Sequence, residues 1–454
     1  MFWETAPKSP TTQPVSGRFR RLGAPTEVSV MRSTFFLRRL FSRDAYSGPR
    51  ARDRAKISQI GFIGLFGIGN FGNEGSLEAM LRFVRKVRTG AEVVCICGSP
   101  TKVDPKLGVR SVGINWRPKN QLLRRLDRLL MYIPGELASL VHTVHHIRRL
   151  DALVIPGTGI LDDYGAGPMG IPYWLFRWCV LARLLGTKVA FVSIGAGPIH
   201  HPLSRWLMKT ASGMAAYRSY RDNISRDFMC RSGLNTGNDP VYPDIAFTLP
   251  QPVPLREPSA EGEPITVGIG IMYYNGWRGD RACDEAVYDA YIRKMKRFVC
   301  WLLSEGHRVR VLMGDVNDQR AVDTLSSMIE TKRGKTCRGS VVAEPAHSLH
   351  DVMAQIADTD VVVATRFHNI VCALKLGRPT LSIGYAEKND VLLEEMGLGE
   401  FCQNIDQLDI ELLIEQFRRL AIGRKKYERK IRATNAIYAE RLRHQYTLLL
   451  GSYF

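Results

Sequence analysis

Nowhere in the 454 residues is there a charge-free apolar run of about eighteen, the length that marks a membrane-crossing helix. The most apolar stretch, Trp174 to Ile199, is broken by Arg177, Arg183 and Lys188. No C-x-x-C pair occurs among the nine cysteines, Cys95, Cys97, Cys179, Cys230, Cys283, Cys300, Cys337, Cys372 and Cys402. Their odd number and scatter argue against a disulfide framework or a zinc site and for a reducing cytoplasm. No short-period repeat is present, and no D-x-D pair suggests a nucleotide-sugar metal site. Acidic residues are scarce beside basic ones, 44 against 63, so the formal charge is +19. Such an excess suits an anionic partner: nucleic acid, a membrane surface or a substrate. With 45% hydrophobic and 9% aromatic residues, the chain has enough apolar material for real cores.

The charge is unevenly spread. Residues 1–56 hold 12 basic and 4 acidic residues, a net +8, in a Pro-, Ser- and Arg-rich stretch that reads as a disordered basic arm. Residues 410–454 hold 10 basic and 4 acidic residues, a net +6, in a helical segment. These two peripheral segments carry most of the excess and suggest contact with an anionic membrane surface. No nucleic acid is expected, because no basic stretch interleaved with aromatics falls on a sheet face.

Between them, apolar strand-like runs alternate with amphipathic helix-like runs. ISQIGFIGLFG precedes a helix from Ser76 to about Val87, and AEVVCIC precedes a long helical stretch from about Asn120 to Leu150. DALVIPG, a helix near Trp174 to Leu185 and TKVAFVSIG follow. Alternation of this kind predicts a parallel sheet covered by helices. A Pro-rich segment at 251–264 reads as a linker, after which the pattern restarts with ITVGIGI, HRVRVLMG, DVVVATRFH and PTLSIGY. The expected architecture is therefore α/β: two Rossmann-like parallel-sheet domains, 57–250 and 265–409.

Three glycine-rich loops follow strands of the first domain, where an open parallel sheet binds ligands. GLFGIGNFGNEGS satisfies G-x-G-x-x-G at Gly67, Gly69 and Gly72. The second strand ends CICGSPTK without the acid that would hold a nicotinamide ribose, although Ser99 and Lys102 keep a phosphorylated cofactor open. Glycines admit a ligand to the backbone, and the following helix N-terminus attracts an anion. Asn70, Asn73 and Glu74 add polar groups there. Gly157 and Gly159 lie in the second loop, PGTGILDD, whose Asp162 and Asp163 read as helix caps, and IGAGPIHHP is the third.

Cations gather at other strand ends. Arg221 stands at the start of a helix in YRSYRDNIS, suited to a carboxylate or phosphate. In DVVVATRFHN, strand alternation puts Arg366 and His368 on one side, an arrangement suited to a proton donor that responds to an anionic substrate. Tyr385 and Lys388 occupy the next strand-to-helix loop. His142, His145 and His146, like His347 and His350, read as surface or packing residues.

Taken together, GNFGNEGSLEAML, LVIPGTGILDD, VSIGAGPI, YRSYRDNIS, PDIAF and ATRFHNIVCALKLGRPTLSIGYAEKND resemble the polysaccharide pyruvyl transferase family, in family order over residues 60–400. The family loop often reads G-N-x-G-D-E; Asn73 stands here where that pattern has Asp. The resemblance implies a two-domain fold similar to GT-B glycosyltransferases with the site in the interdomain cleft. It implies phosphoenolpyruvate as donor, no cofactor, and two hydroxyls of a saccharide, typically lipid-linked or polymeric, as acceptor. The residues suit that chemistry. Arg221, Arg366 and Lys388 supply cations for a carboxylate and a phosphate, and His368 is the candidate acid–base group. On this reading Arg221→Ala and Arg366→Ala chiefly weaken donor binding. The alternative is a GT-B glycosyltransferase using a nucleotide sugar.

Overall fold

The computed structural model describes residues 58–452 except 119, 164–166, 254–258, 261, 277–284 and 334–339. The basic arm at 1–56 and part of the 251–264 linker lie outside the described residues.

The first half runs β1 (Gln59–Gly64), α1 (Phe71–Val87), β2 (Glu92–Cys97), β3 (Arg110–Gly113), α2 (Gln121–Leu129), α3 (Ile133–Ile147), β4 (Ala152–Pro156), α4 (Ile171–Leu184), β5 (Lys188–Ile194), α5 (Pro202–Gly213), β6 (Tyr217–Tyr220) and α6 (Asn223–Arg231). The second runs β7 (Thr266–Gly270), α7 (Glu285–Ser304), β8 (Arg308–Leu312), α8 (Gln319–Arg333), β9 (Val341–Ala343), α9 (Leu349–Ala357), β10 (Val361–Ala364), α10 (Phe367–Lys375), β11 (Thr380–Gly384), α11 (Glu387–Glu395), β12 (Cys402–Asn404), α12 (Ile410–Ile422) and α13 (Arg424–Ser452).

Each half is one six-stranded parallel sheet. The orders are β3-β2-β1-β4-β5-β6 and β12-β11-β10-β7-β8-β9, the same winding twice. Helices cover both faces, so the central strands are apolar throughout: ALVIP of β4 and VVVA of β10 are wholly buried. Each buried Val, Leu or Ile contributes roughly 1.5–3 kcal/mol relative to exposure. In both sheets the order reverses beside the first strand, β1/β4 and β7/β10, and the loops there leave from the carboxyl ends.

Two expected helices are broken. The stretch from Asn120 to Leu150 is α2 and α3, separated by Met131 and Tyr132, both in the left-handed region (φ 52° and 63°). Residues 410–450 are α12 and α13, divided at Gly423. The last helix is not a peripheral tail. Arg424 Nη2 donates to the carbonyls of Ser259 and Ala260, and Asn435 Nδ2 to that of Leu374, in the second half. Further along, Arg441 Nη2 donates to Val241 O and Tyr446 stacks on Phe83 at 4.0 Å, in the first. A helix sequence with net positive charge thus straps the halves together through its buried face, Tyr427, Ile431, Tyr438, Leu442, Gln445 and Leu449, while its basic residues mostly face outward.

The halves also meet directly. Val316 N donates to Gly69 O (3.0 Å) and Phe71 N to Gly314 O (3.3 Å), a short antiparallel pairing of the loops after β1 and β8. His350 on α9 pairs with Glu78 on α1 at 2.8 Å.

Candidate active site

The strand ends of the two halves bring Arg221, Asp244, Arg366, Phe367, His368 and Lys388 together. A cleft is lined by Arg221, Asp222, Asp244, Phe367, Lys388 and, from α13, Tyr438.

Arg221 follows β6 directly, and its amide donates to Ile194 O (3.1 Å). Its guanidinium is buried, Nη1 3.4 Å from Asp244 Oδ2 and Nε 3.6 Å from Asp222 Oδ2. The floor beneath it is made of glycine. A Cβ on Gly195 would meet Nη2 at 2.6 Å, and one on Gly159 would meet it at 3.5 Å. Gly195 is brought there by an irregularity in β5. Ser193 adopts φ 48°, the pairing register of β5 with β6 shifts, and the turn is held by Ser219 Oγ (2.8 Å from Ser193 N) and by Gln445 of α13. A left-handed non-glycine residue costs about 1–3 kcal/mol and persists only where its surroundings impose it.

The strand reading of Arg366 and His368 is corrected. β10 ends at Ala364; Arg366 is the N-cap of α10 and His368 lies in its first turn. Arg366 makes a two-pronged ion pair with Asp318, Nε to Oδ2 at 2.9 Å and Nη2 to Oδ1 at 2.6 Å. Asp318 has no exposed surface at all. Burial opposes the Arg366 charge, but Asp318 outweighs it and raises the guanidinium pKa.

His368 is only 15% exposed through its side chain. Its Nε2 is buried without a hydrogen-bond partner, 3.9 Å from Asp244 Oδ2 and too far to bond it. Burial first, then the charges of Arg221, Lys388 and Arg366, hold its pKa down to about 3. These effects favour the neutral imidazole. Burial pushes Asp244 up from its usual range, against the pull of Arg221.

Phe367 is the common wall. The Arg221 guanidinium lies 4.5 Å from its ring centroid and Lys388 Nζ 5.7 Å from it. Lys388 also sits 4.7 Å from the Tyr385 ring. Burial would raise the Tyr385 phenol, but Lys388, Arg366 and Arg221 outweigh it and lower its pKa. Arg221, Arg366 and Lys388 thus lie close enough to His368 to depress its pKa.

The glycine-loop residues do other work than expected. Asn70 caps α1 by accepting from Asn73 N, and its Nδ2 reaches Asp315 Oδ2 across the halves (3.1 Å). Asn73 uses its amide on Leu65 O, so the position that often holds Asp locks the loop. Glu74 closes the turn of its own loop. It accepts from Gly67 N (2.5 Å), and burial, opposed by that bond, leaves its pKa near 7. Gly157 (φ 44°) packs against Ile245 and Ser76, leaving no room for a Cβ. Gly72 makes room for His368. Asp163, expected to cap a helix, accepts from the amides of His200 and His201 just before α5.

Asp244, Asp318, Phe367, Gly195 and Tyr438 were not singled out from sequence. Asp244 could have been, since PDIAF stood among the family segments. Tyr438 could not, because nothing in a helix pattern says that its face returns to the first domain.

The family model for polysaccharide pyruvyl transferase matches residues 70–387, more than half of the chain. No curated protein matches it in sequence. Among solved structures, UDP-GlcNAc 2-epimerase from Neisseria meningitidis superposes with a TM-score of 0.51 at 10% identity, covering 85% of this chain and 99% of that one. The UDP-GlcNAc 2-epimerase from Methanocaldococcus jannaschii gives 0.52 at 11%, covering 81% and 93%. A lipopolysaccharide outer core galactosyltransferase gives 0.50 at 12%, covering 86% and 98%. At these identities the likeness is one of fold: two parallel-sheet domains of the GT-B type.

Proposed function

The chain belongs to the polysaccharide pyruvyl transferase family, and from that premise we propose that it transfers pyruvate from phosphoenolpyruvate to two hydroxyls of a saccharide, forming a cyclic ketal. The observation that carries this reading is His368: a buried, unbonded imidazole nitrogen ringed by Arg221, Arg366 and Lys388.

Phosphoenolpyruvate carries a carboxylate and a phosphate. Arg221 and Lys388 flank Phe367 and offer two separate cationic contacts, and Arg366 Nη1 offers a third. The bound anion offsets the charges that depress the imidazole pKa, so donor binding favours His368 as imidazolium. That imidazolium donates its proton to the donor's methylene carbon, which becomes the pyruvate methyl. The first hydroxyl bonds to the adjacent carbon and loses its proton to the now neutral imidazole. The second hydroxyl then bonds to the same carbon as the carbon–oxygen bond to phosphate breaks. His368 gives its regained proton to the departing phosphate and can accept that of the second hydroxyl. Asp244, 3.9 Å away, favours the imidazolium through space. Arg221, Arg366, Lys388 and His368 thus divide into three that hold and one that moves protons.

Transfer of sugar from a nucleotide sugar is the competing reading, favoured by the fold alone. Thermal unfolding with phosphoenolpyruvate and with uridine diphosphate separates them. Stabilisation by phosphoenolpyruvate, reversed in Arg221→Ala, is expected. Stabilisation by the nucleotide alone would overturn the proposal.

A further inference from the structure

The segment from Trp116 to Val141 carries an apolar surface that nothing among the described residues covers. No side chain of α2 is buried. Leu122, Leu126 and Leu129 recur at helical spacing along one line, and Leu129 is 77% exposed. The line continues through the turn to Met131, 80% exposed, Ile133 and Leu137. A contiguous exposed patch of this kind on a globular protein marks an interaction site.

The patch is held out rigidly. Met131 and Tyr132 take left-handed backbone, and Asp127 fixes them: its carbonyl accepts from Tyr132 N and its carboxylate from Gly135 N, both at 2.7 Å. Glu136 on α3 then accepts from Tyr173 and Arg177 of α4, tying the hairpin to the domain.

Its charge selects the occupant. Residues 117–133 contain five basic residues and one acid, Asp127, a net +4. Asp127 is spent inside the turn. Arg124, Arg125 and Arg128 are exposed beside the leucine line. Like charge disfavours a second copy of this face, and equally the chain's own N-terminal segment of net +8. An apolar line flanked by arginines matches the interface of an anionic bilayer.

We propose that α2 and the turn into α3 dock on an anionic lipid bilayer, with Leu129, Met131 and Ile133 entering the acyl boundary and Arg124, Arg125 and Arg128 at the level of the lipid phosphates. This goes beyond the reading of the cleft and does not depend on its donor. The site of contact also differs from the basic termini, where the charge count alone would place it. In the chain, α2 follows the carboxyl end of β3.

The test is co-sedimentation of the full chain with vesicles of phosphatidylglycerol and phosphatidylcholine, against vesicles of phosphatidylcholine alone. Two triple variants accompany it, L129S/M131S/I133S and R124S/R125S/R128S, each checked by its unfolding temperature and by sedimentation velocity. The wild type partitions to the anionic vesicles, and each variant loses about tenfold or more in partitioning while still folded. Wild-type-like partitioning of the leucine-line variant would overturn the proposal, since the basic termini would then suffice. So would absence of wild-type partitioning. A wild-type dimer that this variant converts to monomer, with vesicle binding unchanged, would assign the face to a second copy instead.

Discussion

A Cβ on Gly72 would lie 1.9 Å from Nδ1 of His368. One residue opens α1 in the first half and the other opens α10 in the second, so glycine here is required by a side chain from the opposite domain. Gly72→Ala therefore displaces the imidazole from its place beside Asp244. A misplacement of about 1 Å at a reacting group costs on the order of 10²-fold in rate. Phosphate release from phosphoenolpyruvate with acceptor should fall by about that much, while circular dichroism and donor affinity change little.

Arg366 and Lys388 should separate cleanly. Arg366→Ala leaves Asp318 buried without its partner, and breaking such a pair costs about 3–5 kcal/mol. Its chief effect is then a lowered unfolding temperature, unlike the loss of donor binding expected from its position alone. Lys388 is partly exposed and stands over aromatic rings. Lys388→Ala should keep the wild-type unfolding temperature and weaken phosphoenolpyruvate binding by roughly tenfold or more, the value of one charge-assisted contact. Calorimetric scans and titrations on both variants decide this.

The Glu78–His350 pair gives the packing of the two halves a pH window. The hydrogen bond that His350 donates to Glu78 chiefly raises the histidine pKa above 6.5. Burial would raise Glu78, but His350 outweighs it and lowers Glu78 below 4.5. A raised histidine stabilises fully below its unfolded value and loses this as pH rises through its folded value. A lowered glutamate stabilises above its unfolded value and loses this as pH falls through its folded value. The pair's contribution is greatest between about 4.5 and 6.5. Relative to wild type, His350→Gln should lose unfolding temperature most in that window and least at pH 9. A difference independent of pH would exclude the pair as its source.

Much of the scaffold was legible in the chain because buried parallel strands leave unmistakable apolar runs, as in ALVIP and VVVA. Helix ends were less legible. Pro134 and Gly135, two and three residues past Tyr132, signal the break, but the left-handed backbone of Met131 and Tyr132 is not announced by either residue, and Asp127 helps hold it. The clustering of cations was legible where they follow strands, at Arg221, Arg366 and Lys388. The surroundings of that cluster were not legible where they rest on contacts between distant segments. Gly195 lies under Arg221 only because Ser193 is strained, and Ser193 is held by Gln445, 252 residues away. Glu74 looked like a ligand-facing acid and instead closes the Gly67 turn, since its direction depends on a loop geometry that no spacing encodes.

His368→Asn keeps a polar group of similar size without a proton to exchange. Loss of one proton-transfer group costs about 10²–10⁴-fold in rate. Turnover should fall within that range while phosphoenolpyruvate still raises the unfolding temperature. Turnover near that of wild type would remove His368 from the chemistry.

On the proposed mechanism the anionic donor raises the His368 pKa from about 3 and favours the imidazolium. Proton uptake on binding means that affinity strengthens as pH falls, by up to about tenfold per unit for one full proton. The direct measurement is calorimetric titration with phosphoenolpyruvate near pH 7 in two buffers of different ionisation enthalpy, on wild type and His368→Asn. Uptake should be larger in the wild type by a substantial fraction of one proton. Equal uptake in the two proteins, with both binding the donor, would exclude His368 as the group that takes up the proton.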